Sequence, residues 1–393
     1  MSDKKTLPPP KDLLEALEPR RLIGGFEPPP EGLLEQIRNL IQKGADVNQK
    51  DHLGRTPLFL VTNDEHLDIL KLLIEHGADP YHKDKENRSI LHYCTRLKTI
   101  KTAQYYLDNF NLNINAQDNE GLTPLMSCVR SLPMQSNMAG ILQVYIDHGA
   151  DINVLSQGHD ALAWAISNNH HDCALALLKA GATFQLYAGG TTALHMAAQN
   201  KNLVLIQELV QRGQSLSTYN DQGYTPFHSL FGPWKKYKEK LDCVDNFLEQ
   251  GADINQRTKE GLSPLEIECA KGDPRMIEKL LELGADIHPA GPRSGSALGS
   301  AAYSRMETVV QKLLELGADA RALNSAGQTA LMQAMLSRGK EDKKLISIIS
   351  MLIDHGVDVN ATFMGNTVMD WIEKKPAHYP EVGELVSIAL EKG

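Results

Sequence analysis

The run from Gly54 to Asp79, GRTPLFLVTNDEHLDILKLLIEHGAD, contains a helix start, two apolar segments and a helix stop within one short span. Threonine before proline reads as the start: the Thr56 hydroxyl can cap free amides, and Pro57 at the first helical position has no amide to leave unpaired. Leu67, Ile69, Leu70, Leu72, Leu73 and Ile74 then mark a second helix, apolar around most of its circumference as suits a helix sandwiched between neighbours. Gly77 stops it, because glycine readily takes the left-handed conformation that ends helices. The polar run from Asp79 to Asn87 predicts a tight hairpin leading to the next helix pair. A unit of this size cannot bury its own apolar surface, so it must stack on both neighbours.

The pattern recurs. Closing segments stand at Gly44-Ala45-Asp46, Gly77-Ala78-Asp79, Gly149-Ala150-Asp151, Gly251-Ala252-Asp253, Gly284-Ala285-Asp286 and Gly317-Ala318-Asp319. Degenerate copies are Gly181-Ala182-Thr183, Gly213-Gln214-Ser215 and Gly356-Val357-Asp358, while Asn109 to Asn111 fills the remaining slot. Openings follow at Thr56-Pro57-Leu58, Thr123-Pro124-Leu125, Thr225-Pro226-Phe227 and Ser263-Pro264-Leu265, with weaker ones at Thr192, Ser296, Thr329 and Thr367. Most spacings between closing glycines are 32 or 33 residues, and three are 38 or 39. The long ones fall in the third, sixth and ninth full units, with the extra residues (Leu132 to Asn137, Phe231 to Lys238, Ser337 to Lys343) between the two helices. This implies a higher-order period of three units and predicts a row of three longer loops along the edge opposite the hairpins.

These segments resemble the ankyrin repeat, whose signature is Thr-Pro-Leu-His followed by two alanines; Thr192-Ala193-Leu194-His195-Met196-Ala197-Ala198 comes closest. The resemblance covers about residues 31 to 393. It implies an all-α solenoid of stacked helix pairs with hairpin loops: a partial repeat at 31–50, about nine repeats over 51–361 and a capping repeat at 362–393. Residues 1–30 differ in kind, since Pro8-Pro9-Pro10 and Pro28-Pro29-Pro30 bracket a short amphipathic stretch, Asp12 to Leu17. A flexible leader and a strap whose Leu13, Leu14 and Leu17 cover the first repeat are both open.

Hydrophobic residues at 42% and charged residues at 23% fit a folded chain. A net charge of −9 argues against broad attachment to nucleic acid, which needs a concentrated basic face. No stretch approaches the roughly 20 apolar residues that span a bilayer, and the N-terminus lacks the apolar core of a secretory signal. A soluble, intracellular monomer without membrane insertion is therefore expected. Cys94, Cys128, Cys173, Cys243 and Cys269 lack paired short spacings, so neither a disulfide framework nor a zinc site is indicated, and they read as buried small hydrophobes. His92, His195 and His228 occupy the histidine slot of the signature, where the ring should bond to neighbouring turns; His76, His148 and His355 precede a closing glycine and suit a helix C-terminus. Gly291-Pro292-Arg293-Ser294-Gly295 lacks the lysine pair of a phosphate loop and reads as a distorted hairpin. No catalytic, cofactor-binding or metal residue is expected.

In the family that the chain resembles, hairpin tips and the exposed side of each first helix line a concave groove. Tyr187, Tyr219 and Tyr224 fall there in mid-array, flanked by His52, Lys85, Arg88, His159, Arg257, Lys259 and Arg293. Tyrosine and arginine supply large amphipathic contact area, so an aromatic centre with basic flanks predicts a protein partner with an acidic segment. Trp234 beside Lys235-Lys236-Tyr237-Lys238 marks the one compact basic cluster, either a solvated loop or a small anionic contact. Asn48, Asn153, Asn255 and Asn360 are expected, from the resemblance, to brace the hairpins. The resulting expectation is a non-catalytic scaffold that holds a partner protein along its concave face. A lone, degenerate array with irregular inserts resembles the ankyrin effectors that intracellular bacteria deliver into the host cytoplasm to bind host proteins. A eukaryotic cytosolic adaptor, and an enzyme with a site in the groove, are the alternatives.

Overall fold

The computed structural model describes residues 11–17, 32–96, 100–130, 138–231, 237–288, 296–337 and 341–392. These form helices joined by turns and hairpins, with no strand among them beyond isolated bridges such as Lys83 with Ser89. Two compact units divide the chain, residues 1–188 and 189–393.

The first unit holds five helix pairs: α1 (Leu13–Leu17) with α2 (Leu33–Gln42), α3 (Pro57–Leu60) with α4 (Leu67–Glu75), α5 (Ile90–Arg96) with α6 (Ile100–Asn109), α7 (Pro124–Arg130) with α8 (Met138–Asp147), and α9 (Ala161–Ser167) with α10 (His171–Lys179). First members stack in sequence, α1 on α3, α3 on α5, α5 on α7 and α7 on α9; among second members, α2 meets α4, α6 meets α8 and α8 meets α10. Of the two readings of the N-terminus, the strap is the one that packs. Leu13 and Leu17 are fully buried, Ala16 rather than Leu14 completes the apolar face, and α1 lies against α2 and α3.

In the second unit α11 (Ala193–Gln199) pairs with α12 (Leu203–Gln211), and a single 3₁₀ turn, His228–Leu230, precedes α13 (Tyr237–Glu249). Then follow α14 (Pro264–Lys271) with α15 (Pro274–Glu282), α16 (Ala297–Tyr303) with α17 (Glu307–Glu315), α18 (Ala330–Met335) with α19 (Lys343–Asp354), and α20 (Val368–Glu373) with α21 (Pro380–Lys392). The full helix predicted from Thr225 is reduced to one turn that ends at Phe231, whose backbone is extended; Pro233, two residues on in the sequence, has no amide to donate to a helix.

The closing glycines do what their spacing predicts: Gly44, Gly77, Gly149, Gly181, Gly213, Gly251, Gly284, Gly317 and Gly356 all have φ between 75° and 92°. Helix starts are more varied. The Ser263 hydroxyl accepts from the Glu266 N–H while the Glu266 carboxylate accepts from the Ser263 N–H, a reciprocal cap. The Thr56 hydroxyl, by contrast, is buried and bonds to nothing, so that helix start rests on Pro57. The insert at 132–137 lies outside the described residues, as do 232–236 and 338–340 of the other two, so the predicted row of loops does too.

One buried contact departs from apolar stacking. Ala197, Ala301 and Ala334 occupy a slot of the first helix that in α14 holds Glu268. Lys240 of α13 places Nζ 2.6 Å from both of its carboxylate oxygens, with the side chains only 3% and 0% exposed. The Asp273 N–H donates to the same carboxylate at 3.0 Å, and Phe231 lies 5.3 Å from the ammonium.

Candidate partner-binding face

The hairpins are tied to one another through backbone and side chain. Lys85 N–H donates to Leu53 O (3.0 Å), Asn119 N–H to Glu86 O (3.0 Å) and Lys259 N–H to Gly223 O (2.9 Å). Asn48 accepts from Asp79 N–H (2.8 Å) and donates to Gly77 O (2.9 Å). Asn153 accepts from Thr183 N–H and Asn255 from Asp286 N–H, at 2.9 and 2.8 Å. Asn360 differs, its backbone N–H donating to Asp358 within its own turn.

The histidine slot makes a second set of ties. In His92, His195 and His228 the Nδ1 accepts from the N–H of Ser89, Thr192 and Thr225, while Nε2 donates to a carbonyl of the next hairpin: Leu122 O (3.0 Å), Tyr224 O (2.9 Å) and Gln256 O (2.9 Å). Both ring nitrogens are thus committed in the neutral form. Burial depresses all three pKa values, that of His228 to about 4. Where the slot is Ala163, the tie is made otherwise. Asp160 caps α9 by accepting from Ala163 N–H, and its second oxygen accepts from the Tyr187 hydroxyl of the following hairpin at 3.1 Å. Where it is Glu266, Arg257 donates both to that carboxylate (3.4 Å) and to His288 O (3.5 Å).

A family model of ankyrin repeats in three copies matches residues 30–118 and 102–188, and a single ankyrin-repeat model matches 189–221. From residue 30 to residue 221 the chain belongs to the ankyrin-repeat family. Beyond them, the described residues continue the same ankyrin helix pairs, glycine stops and hairpin ties. Curated relatives include human transient receptor potential cation channel subfamily A member 1, 30% identical over 224 residues that make up 53% of this chain and 20% of that protein. Another is neurogenic locus notch homolog protein 1 of Cricetulus griseus, 33% identical over 148 residues, 37% of this chain and 6% of that one. The chain thus spans a fifth or less of the length of these two relatives. Among solved structures, the ankyrin repeat domain of human ASB11 has a TM-score of 0.49 at 21% identity, over 58% of this chain and 97% of that one. Ankyrin repeats are protein-interaction modules, typically without catalysis of their own.

Against this ankyrin frame, the predicted contact residues fall into three groups. Tyr187 is 4% exposed and its hydroxyl serves the tie to Asp160; it is an internal strut, not a presented side chain, because Ala163 leaves the histidine's linking role to it. Tyr219 and Tyr224 are half-buried; the Tyr219 hydroxyl donates to Arg257 O (2.9 Å), and exposed Lys259 lies 5.9 Å over its ring. Arg88 and Arg257 reach the hairpin face but are neutralised within it, Arg88 by Asp84 at 2.7 Å and Arg257 by Glu266. Of the predicted basic flanks, these two arginines are therefore spent on internal carboxylates. Arg293 and Trp234 lie outside the described residues.

Two residues that sequence reading missed belong with His159. Trp164 of α9 is half-buried, with the Arg130 guanidinium 5.2 Å from its ring and the His159 ring tilted against it at 5.1 Å; His159 in turn stacks on Tyr187 at an interplanar angle of 7°. The available signal was register: Trp164 stands one place after the histidine slot, as do Tyr93, Ser127 and Met196.

Among the described residues no group of histidines, cysteines and carboxylates is placed to hold a metal ion. No helix among them is long and apolar enough to cross a membrane. All five cysteines are buried and none forms a disulfide; burial pushes Cys243 up to about 12 and Cys269 above its ordinary value, against nucleophilic use of those two.

Proposed function

We propose that this chain is a non-catalytic scaffold that holds a partner protein along the concave face formed by its hairpins and first helices. The observation that carries the reading is the Arg130–Trp164–His159 cluster. Tryptophan and arginine dominate binding hot spots, and a preordered cluster loses little side-chain entropy on association. Affinity capture from a eukaryotic lysate with wild type and Trp164→Ala, both first shown to melt alike, tests it. Proteins held by wild type and lost by the variant support the assignment; identical captures count against it. A bacterial effector and a eukaryotic adaptor share this face and differ in source. The animal relatives support the adaptor, and a translocation assay with the last twenty residues removed tests the effector.

A further inference from the structure

The third hairpin of the first unit repeats half of a device that its two predecessors complete. In the first two, one oxygen of Asp51 accepts from Leu53 and Arg55 N–H (2.9 and 2.8 Å), and one oxygen of Asp84 from Glu86 and Arg88 N–H (3.0 and 2.9 Å). The second oxygen of each takes the guanidinium of the arginine four residues on, at 2.7 Å. At Asp118 the backbone half is identical: Oδ1 accepts from Glu120 and Leu122 N–H at 2.9 Å each, and Asp118 N–H donates to Leu122 O at 3.0 Å. The side-chain half is not, for the residue four positions on is Leu122, and Asp118 forms no ion pair among the described residues.

A pocket of about 250 Å³ opens against Asp118 and Leu122, walled by Arg88, His92, Glu120, Ser127 and Arg130. Its size follows from the first helix behind it. Ser127 stands where Tyr93, one layer earlier, lies 5.3 Å from the Arg88 guanidinium. Both arginines in the wall are already paired, Arg88 with Asp84 and Arg130 with Glu120, and His92 is neutral. Asp118 is left as the charge of this pocket without a counterion.

We propose that the pocket accepts an arginine side chain from the partner protein, whose guanidinium pairs with Asp118 and completes the clip that Arg55 and Arg88 make within the chain. The inference rests on the interaction-face reading and names the chemistry of one contact in it. Arginine rather than lysine fits, since a planar fork of donors meets a carboxylate along two parallel hydrogen bonds while an ammonium meets it as a point.

The probe is the peptide acetyl-Gly-Arg-Gly-amide, titrated into isotope-labelled protein while the amide resonances of Glu120 and Leu122, which bond to Asp118, are followed. The arginine peptide should shift both signals, and the same peptide with citrulline, equal in shape but uncharged, should bind about tenfold more weakly or less. Asp118→Asn should lose the response. So should Leu122→Arg, which fills the pocket from within and keeps the fold because arginine is native at the two preceding hairpins. Equal binding of the two peptides, or an undiminished response in Leu122→Arg, overturns the proposal. If the arginine peptide leaves the signals unmoved while Trp164→Ala still loses captured proteins, the pocket assignment falls and the interaction-face reading stands.

Discussion

Acidification should loosen the second unit at one identifiable place. His228 is 2% exposed, with Nδ1 accepting from Thr225 and Nε2 donating to Gln256 O, and burial depresses its pKa from 6.5 to about 4. A depressed value in the folded state means that the unfolded chain takes up the proton first. The stabilisation is therefore complete above pH 6.5 and is lost as pH falls toward 4. At about 1.4 kcal/mol per unit, a gap of about 2.5 units amounts to ~3 kcal/mol, of which ~2 kcal/mol is lost by pH 5. Repeat arrays open locally, so the assay is hydrogen exchange of the amides in α11, the 228–230 turn and α14, compared at pH 7 and pH 5 after correction for intrinsic rates. His228→Gln, which keeps a donor but cannot titrate, should start less stable at pH 7 and change less between the two pH values. An identical pH response in wild type and variant would refute the reasoning.

Three further outcomes follow from contacts already described. Lys240→Met alone leaves the Glu268 carboxylate buried without its cation and should cost about 3–5 kcal/mol, whereas Lys240→Met with Glu268→Ala, the residue of the equivalent slots, should recover most of it; chemical denaturation of both decides. Leu177→Ala and Leu280→Ala remove fully buried side chains and should each cost about 2–5 kcal/mol in the same assay, with a smaller loss pointing to collapse around the cavity. Tyr187→Phe should cost about 1–3 kcal/mol, because the buried Asp160 carboxylate loses its hydroxyl donor, and a variant as stable as wild type would show that the tie is dispensable.

The period, the helix stops and the all-α class could be read in the chain because they depend on local conformation: a glycine at positive φ ends a helix whatever its neighbours are. The histidine slot could be read for the same reason, since its partner is a backbone carbonyl present in every layer. What escaped was set by side chains meeting across layers. Tyr187 looks like any other hairpin tyrosine until Asp160, at the start of the preceding helix pair, is found beneath its hydroxyl. Arg88 and Arg257 carry the same formal charge as an exposed arginine, and only the placement of Asp84 and Glu266 reveals that they are neutralised. Trp164 was discoverable by register, but its contacts with Arg130 and His159 were not, because those two come from the neighbouring helix and from the hairpin ahead of α9. Even the Thr56 cap, a local inference, failed where a buried hydroxyl bonds to nothing.

The ties made by His92, His195 and His228 end on main-chain oxygens of the following layer, so they ask nothing of that layer's side chains. A layer joined in this way can be deleted, duplicated or exchanged for a relative and still be recognised by its new neighbour, so the ties themselves leave recombination within the gene tolerable at those three joints. Lys240 and Glu268 are the opposite case, a lock whose two halves lie on different layers. A crossover between the sixth and seventh units would strand one charge in the interior, so those two layers are expected to descend together while the layers around them come and go.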